Sequence, residues 1–267
     1  MKSFFLSLSG LLAITAATAQ ITEGTIAYTK TVKIEIELPP EFAAQAKDMP
    51  KEQKSQFEMI FSGSKSLFRP VKAPESMRMD DGNGGVKIMM IGPGGNDKTF
   101  CDADAKKKIQ QKELGAKQYL VEDTLLKLNW KLTSETKKIL GHDCKKATST
   151  REVERVEMND DGGVMTRKVF KDTMDIAAWY ATDMPSSLGP DYPSNLPGVI
   201  LELSTDNGEM TYVATAIDPK FDKKALAAPK DGKKVTSEEF KKEQDAFFKK
   251  MEENNRGGGA HWKSSED

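Results

Sequence analysis

The run from Ala178 to Leu201, AWYATDMPSSLGPDYPSNLPGVIL, constrains this chain more than any other stretch. Rigid and permissive residues crowd between two apolar, strand-like ends: Pro185, Gly189, Pro190, Pro193, Pro197 and Gly198. Proline holds φ and removes a donor, while glycine admits φ > 0, so the backbone path here is closely specified. The connection from Pro185 to Pro197 is too long for a tight hairpin, and such loops are functional or specially packed. One reading is a plug across the open end of a curved sheet. The other is the rim of an apolar ligand cavity or partner surface, built from Trp179, Tyr180, Pro185, Pro190, Tyr192, Leu196, Pro197 and Gly198. Trp179 and Tyr180 fall on opposite sides of one strand, so at most one is core. The titratable groups in the block are Asp183, Asp191, Tyr180 and Tyr192, with no His, Cys or Lys. An active site is not expected there.

Around this block the chain reads as β. Gly24 to Leu38 holds an apolar/polar alternation, the period of a half-buried antiparallel strand, and Pro39-Pro40 stops it. Glu41 to Ala46 and Pro50 to Phe57 suit short helices, the second with proline in its first turn. Glu58 to Val71 and Val86 to Ile91 return to strand, the latter followed by a hairpin tip at Gly92 to Asn96. Apolar clusters from Phe100 to Ile139, one of them Leu126 to Leu132, recur at about ten-residue spacing, which predicts a meander. Val153–Met158 and Val164–Phe170 flank a turn at Asn159–Gly163, and Ile176 to Ala181 reads as a further strand. Val199–Ser204 and Met210–Ile217 flank Asp206-Asn207-Gly208, where Asn-Gly is a hairpin signal.

After Pro219 the texture changes. Residues 219–235 read as a charged linker. Thr236-Ser237-Glu238-Glu239 is a capping box opening a helix over 236–254, with Phe240, Phe247, Phe248 and Met251 on one face. Residues 255–267, with Gly257-Gly258-Gly259, read as a disordered tail.

The N-terminus points to export. Lys2, an apolar run from Phe4 to Ala17, and Ala17-Thr18-Ala19 form a signal peptide over residues 1–19, cleaved after Ala19. The apolar run is too short to span a bilayer of roughly 30 Å, and no later stretch is long enough. The expected address is the periplasm or cell surface. The formal net charge of −1 makes no case for nucleic acid as a partner.

Two cysteines, Cys101 and Cys144, in an exported chain favour a disulfide, which would close a loop of about 44 residues. The alternative is free thiols or metal ligands. His142 and Cys144 lie two apart, on one strand face about 6–7 Å apart at Cα, and with Cys101 they could hold Zn or Cu. Methionines such as Met77, Met79, Met89 and Met90 could add thioethers, although methionine more often fills a core. Nucleophilic catalysis would need His142 with Cys144, and no third orienting group is evident. The turns Asp80–Asn83 and Asn159–Gly162 carry calcium-type oxygens, but neither fits an EF-hand loop, and these are also ordinary turn residues.

A resemblance accompanies these readings. Asn195-Leu196-Pro197-Gly198-Val199-Ile200, Ile139-Leu140-Gly141-His142-Asp143-Cys144-Lys145-Lys146-Ala147, Asn129-Trp130-Lys131-Leu132 and Ser66-Leu67-Phe68 together resemble the GLPGLI family of exported Bacteroidetes-type proteins. The resemblance departs at Asn195, at Val199 and at His142, where an aromatic is more usual. It implies a β-rich exported fold, an undefined role and no assigned catalytic residues.

The expectation is a mainly β (β-rich α+β) domain over residues 20–218. It would be a strongly curved antiparallel sheet or half-barrel with short helices and a C-terminal helix, by analogy with periplasmic lipoprotein carriers. The expected role is a non-enzymatic binding or interaction module without a cofactor, taking an apolar small molecule or an envelope protein. The alternatives are a metal-handling protein and a structural envelope component.

Overall fold

The computed structural model describes residues 21–34, 50–71, 77–78, 89–90, 97–161, 164–184, 187–192 and 196–256. The strands are β1 (Glu23–Lys33), β2 (Glu52–Ser62), β3 (Lys65–Pro70), β4 (Met77–Arg78), β5 (Met89–Met90), β6 (Lys98–Asp102), β7 (Lys107–Leu114), β8 (Lys117–Thr124), β9 (Lys131–Ile139), β10 (His142–Asp161), β11 (Val164–Ala181), β12 (Val199–Thr205), β13 (Met210–Asp218) and β14 (Lys233–Thr236). One helix, α1 (Ser237–Arg256), follows. Strands β4 and β5 form a small separate sheet. The other twelve form one sheet in the order β14-β8-β7-β6-β3-β2-β1-β13-β12-β11-β10-β9.

Strong curvature follows from chain length alone. Strands β8 and β9 stand ten intervals apart in that order, or about 48 Å in a flat sheet. The six residues from Leu125 to Trp130 join them, and seven Cα steps reach at most about 25 Å. The sheet therefore wraps and encloses the larger of two apolar clusters, the smaller being Tyr119, Val121, Val235 and Phe240 beneath α1. Ile26 and Tyr28 of β1, Phe57, Met59 and Phe61 of β2, Phe68 of β3, Ile176 and Tyr180 of β11, and Leu203 of β12 all belong to the larger one. Phe57 stacks on Phe68 (5.1 Å between centroids), and Tyr212 meets both edge-on.

Several elements differ from expectation. The helix read at Pro50–Phe57 is the first half of β2. Gln53 to Phe57 carries polar residues with good helix propensity, but Phe57, Met59 and Phe61 point inward at a period of two, β1 pairs along the whole strand, and β3 pairs with it from Phe57 onward. The helix read at Glu41–Ala46 lies outside the described residues, as do the turns at Asp80–Asn83 and Gly92–Asn96. Leu125 to Trp130 is no strand but the link between β8 and β9. The charged segment 219–235 ends in β14, which pairs with β8 in parallel and makes an otherwise antiparallel sheet mixed. Strands β10 and β11 are far longer than the hairpin read at Val153–Phe170, and they absorb the strand read at Ile176–Ala181. The β12–β13 hairpin turns where expected, with Asp206 (φ 46°) and Asn207 (φ 53°) in the left-handed region. The capping box at α1 is formed: the Thr236 amide donates to Glu239 Oε2 (2.8 Å) and the Glu239 amide donates to Thr236 Oγ1 (3.2 Å).

Candidate functional site: a plugged inner face and a projecting arm

The connection between β11 and β12 turns inward over the sheet. Met184, Leu188 and Leu196 have essentially no exposed surface and belong to the core. The Val199 amide donates to the Met184 carbonyl (3.1 Å), the Ile200 amide to the Leu188 carbonyl (2.8 Å), and Ser187 Oγ to the Leu196 carbonyl (2.6 Å). From β1, the buried Tyr28 hydroxyl donates to the Ile200 carbonyl at 2.7 Å, and burial pushes that phenol far above its usual range. The glycines permit this close packing. A Cβ on Gly198 would lie 2.1 Å from the Ala181 carbonyl oxygen, and one on Gly189 would lie 2.6 Å from Ile200 Cβ.

The eight residues of the block named from sequence divide accordingly. Tyr180 is buried in the core. Trp179 points to the outer face, half-buried, with Lys137 Nζ 4.2 Å and Lys146 Nζ 5.8 Å from its ring. Lys137 also pairs with Glu202 (2.7 Å). Leu196, Gly198 and Pro190 are buried, Tyr192 is half-buried and Pro197 is exposed. Pro185 lies outside the described residues. Trp179 and Tyr180 thus serve different faces and line no common groove. At the plug's tip, Asp191 keeps exposed surface. Its carboxyl accepts a hydrogen bond from the Tyr212 hydroxyl and faces Lys30, and the surrounding protein pushes its titration up. Met184 and Leu188 were not named as site residues from sequence. Their position inside the Gly/Pro-rich block was the available signal.

The cysteines do not pair. Both are free and buried. Cys101 sits on β6 and Cys144 on β10, with six strands between them in the sheet, whereas a disulfide needs Cα atoms within about 7 Å. Burial holds both as thiols, pushing Cys101 up to about 12 and Cys144 up to about 11. Cys144 Sγ donates to the His142 carbonyl (3.6 Å), and His142 Nδ1 lies 2.9 Å from Asp183 Oδ2. The imidazole thus meets a carboxylate. Cys101 does not join His142 and Cys144, and the described residues hold no group of three or more His, Cys, Asp or Glu that could bind a metal.

The second notable region is the hairpin of β10 and β11. Strand β9 covers β10 only from His142 to Thr148, and β12 covers β11 only from Ile176 to Ala181. Beyond them, among the described residues, the two strands pair only with each other, through eleven register pairs from Arg151↔Met174 to Asp161↔Val164. That makes a two-stranded arm about 37 Å long. Its base is steadied by Arg155, which pairs with Asp172 and with Asp206 (2.6 Å), and by Lys241 of α1 on Glu154 (2.5 Å). Val169 and Phe170 on the arm are exposed. No described helix is long and apolar enough to cross a membrane.

Comparison with known proteins gives little further definition. No curated protein matches the chain. A structure described as "Structure of PNGF-II in P21 space group" is 17% identical with a TM-score of 0.49, covering 85% of this chain and 34% of that one. A second, "Structure of PNGF-II in C2 space group", is 18% identical with a TM-score of 0.49, covering 85% and 33%. The chain spans about a third of the length of those chains. The model of a family described as "Protein of unknown function (Porph_ging)" matches residues 130–202, from Trp130 through the plug to Glu202, a different description from the GLPGLI resemblance read in the sequence.

Proposed function

We propose that this chain is an exported, non-enzymatic envelope protein that binds a protein partner through the β10–β11 arm. The observation that carries this reading is the contrast between the two candidate surfaces. The inner face, where an apolar small molecule would sit, is occupied by the chain's own Met184, Leu188 and Leu196. Among the described residues the arm offers backbone edges on both strands, together with exposed Val169 and Phe170, the features used in strand addition and hairpin docking. Export is supported by the signal-like residues 1–19. A non-enzymatic role is supported by the two thiols being buried and held protonated.

The test is in-cell photo-crosslinking with a photoreactive residue at Val169 or at Phe170, and with Val213 on the sheet as the control site. A discrete protein adduct from the arm positions, absent from Val213, is the expected result. The same preparation goes to native mass spectrometry, where the mature mass should begin at Gln20 and carry no lipid. A stoichiometric bound lipid with no arm adduct would overturn the reading.

A further inference from the structure

Strand β14 ends the sheet. Among the described residues it pairs on one side only, with β8. Beside it runs an open groove of ≈ 310 Å³. One wall is Lys233, Lys234 and Val235 of β14. The other is Glu239, Lys242, Glu243 and Ala246, a single stripe of α1 at i, i+3, i+4 and i+7. The stripe rises about 10 Å along the helix, and the four residues of β14 rise about 13 Å. The groove therefore matches about four residues of extended chain. A strand edge facing a helix stripe receives such a segment by strand addition.

The charges around the groove select what can enter. The carboxylates of Glu239, Glu243 and Glu122 are each engaged within the protein. Glu239 accepts from the Thr236 amide (2.8 Å) and hydroxyl (3.2 Å) in the capping box. Glu243 meets Lys233 (2.8 Å) and the Tyr119 hydroxyl (3.3 Å). Glu122 lies nearer to Lys107 (3.3 Å) than to Lys234 (3.9 Å). The lysines are less committed. The Lys234 side chain is mostly in solvent. Lys242 is exposed, and the carboxylate it faces is that of Glu239. These two lysines serve different faces of the edge. Lys233 and Val235 turn toward α1, against Glu243 and Phe240, so Lys234 turns to the other side of the sheet. A strand laid along β14 would meet Lys242 on one face and Lys234 on the other. Lysines on an open edge also disfavour its pairing with the same edge of a second copy.

We propose that this groove takes an acidic, extended segment of a partner protein, added as a strand along β14. Main-chain bonds to the β14 edge supply the affinity. Lys234 and Lys242 supply the choice of an acidic sequence over a neutral or basic one. The small side chain of Ala246 leaves room between helix and strand. The site is separate from the β10–β11 arm in residues and in chemistry. The arm presents exposed Val169 and Phe170, whereas the groove presents cations. Helix α1 touches both: Lys241 holds Glu154 at the base of the arm, and Lys242 lines the groove.

Fluorescence anisotropy with the full chain and a short labelled peptide of Glu, Val and Thr tests this. The peptide should bind saturably and should slow hydrogen exchange of the β14 amides. The same peptide with Lys in place of Glu should bind about tenfold more weakly. So should a form N-methylated at alternate residues, which cannot complete the ladder. The Lys234→Glu, Lys242→Glu double variant should also lose about tenfold for the Glu peptide, with helical circular dichroism unchanged. A chain lacking arm residues 156–169 should bind the peptide as the wild type does, which reads this site apart from the arm. Equal affinity for the Glu and Lys peptides, undiminished binding to the double variant, or no saturable binding up to about 1 mM peptide would overturn the proposal. So would binding that leaves β14 exchange unchanged, which would place the peptide elsewhere.

Discussion

The plug and the arm leave the same strand in opposite directions and obey different physics. At the end of β11 that leads into β12, the chain turns inward. There Met184, Leu188 and Leu196 lose their whole surface, the Tyr28 hydroxyl crosses from β1, and Gly198 lets two backbones touch. At the other end, β11 runs outward with β10, held by a backbone ladder and by ion pairs at its base. Burial fixes the first region, while surface pairing that water and salt can replace steadies the second. Stability and availability for binding are therefore separated along one strand.

The contrast can be broken most forcefully at Gly198. Gly198→Ala places a methyl against the Ala181 carbonyl and should lower unfolding free energy by about 3 kcal/mol, read as a shift of the urea midpoint at constant slope. An unchanged midpoint would mean that the plug is not packed against β11.

Alkaline titration comes next. Cys144 stands opposite Ala181 at the root of the plug, and burial raises its thiol from the ordinary 9.0 to about 11. For a group raised in the folded state, the contribution is complete below about 9 and is lost as pH rises from there to about 11. Urea midpoints should fall across that window, and Cys144→Ala should flatten part of the fall. A variant lacking arm residues 156–169 should follow the wild-type curve.

Smaller again is Tyr28→Phe, which removes the donor to the Ile200 carbonyl and should cost about 1 kcal/mol. The smallest effect belongs to the arm. Val169→Thr should change stability by less than about 0.5 kcal/mol. If it proved as costly as the Tyr28 change, the arm would be part of the folded core and not a separate element.

The residues that were legible before folding are those whose chemistry is local. Asn207-Gly208 announced the β12–β13 turn because only left-handed backbone closes it, and Thr236 with Glu239 announced the start of α1. Trp179 and Tyr180 were separable by strand period alone. What failed was non-local. Two cysteines, Cys101 and Cys144, form a sensible pair on the expectation of export, but the distance between them depends on where β6 and β10 enter a twelve-strand sheet. Gln53 to Phe57 looks helical until β1 pairs along it. Lys233 to Val235 reads as linker because so short a run carries no period, and β8 makes it a strand that runs on to Thr236. In the same way, the turn residues near Gly162 mark a hairpin without stating how far its strands run unaccompanied.

By itself, then, the sequence determined the β character, the turn at Asn207, the capped C-terminal helix and a closely specified path from Ala178 to Leu201. These rest on φ preferences, side-chain period and short-range hydrogen bonds, which act within a few residues. Tertiary structure alone decided that this path turns inward, that the cysteines remain apart and that β10 and β11 outrun their neighbours. Each of those outcomes depends on strand order and on the closing of a curved sheet, which are set by contacts between residues remote in the chain.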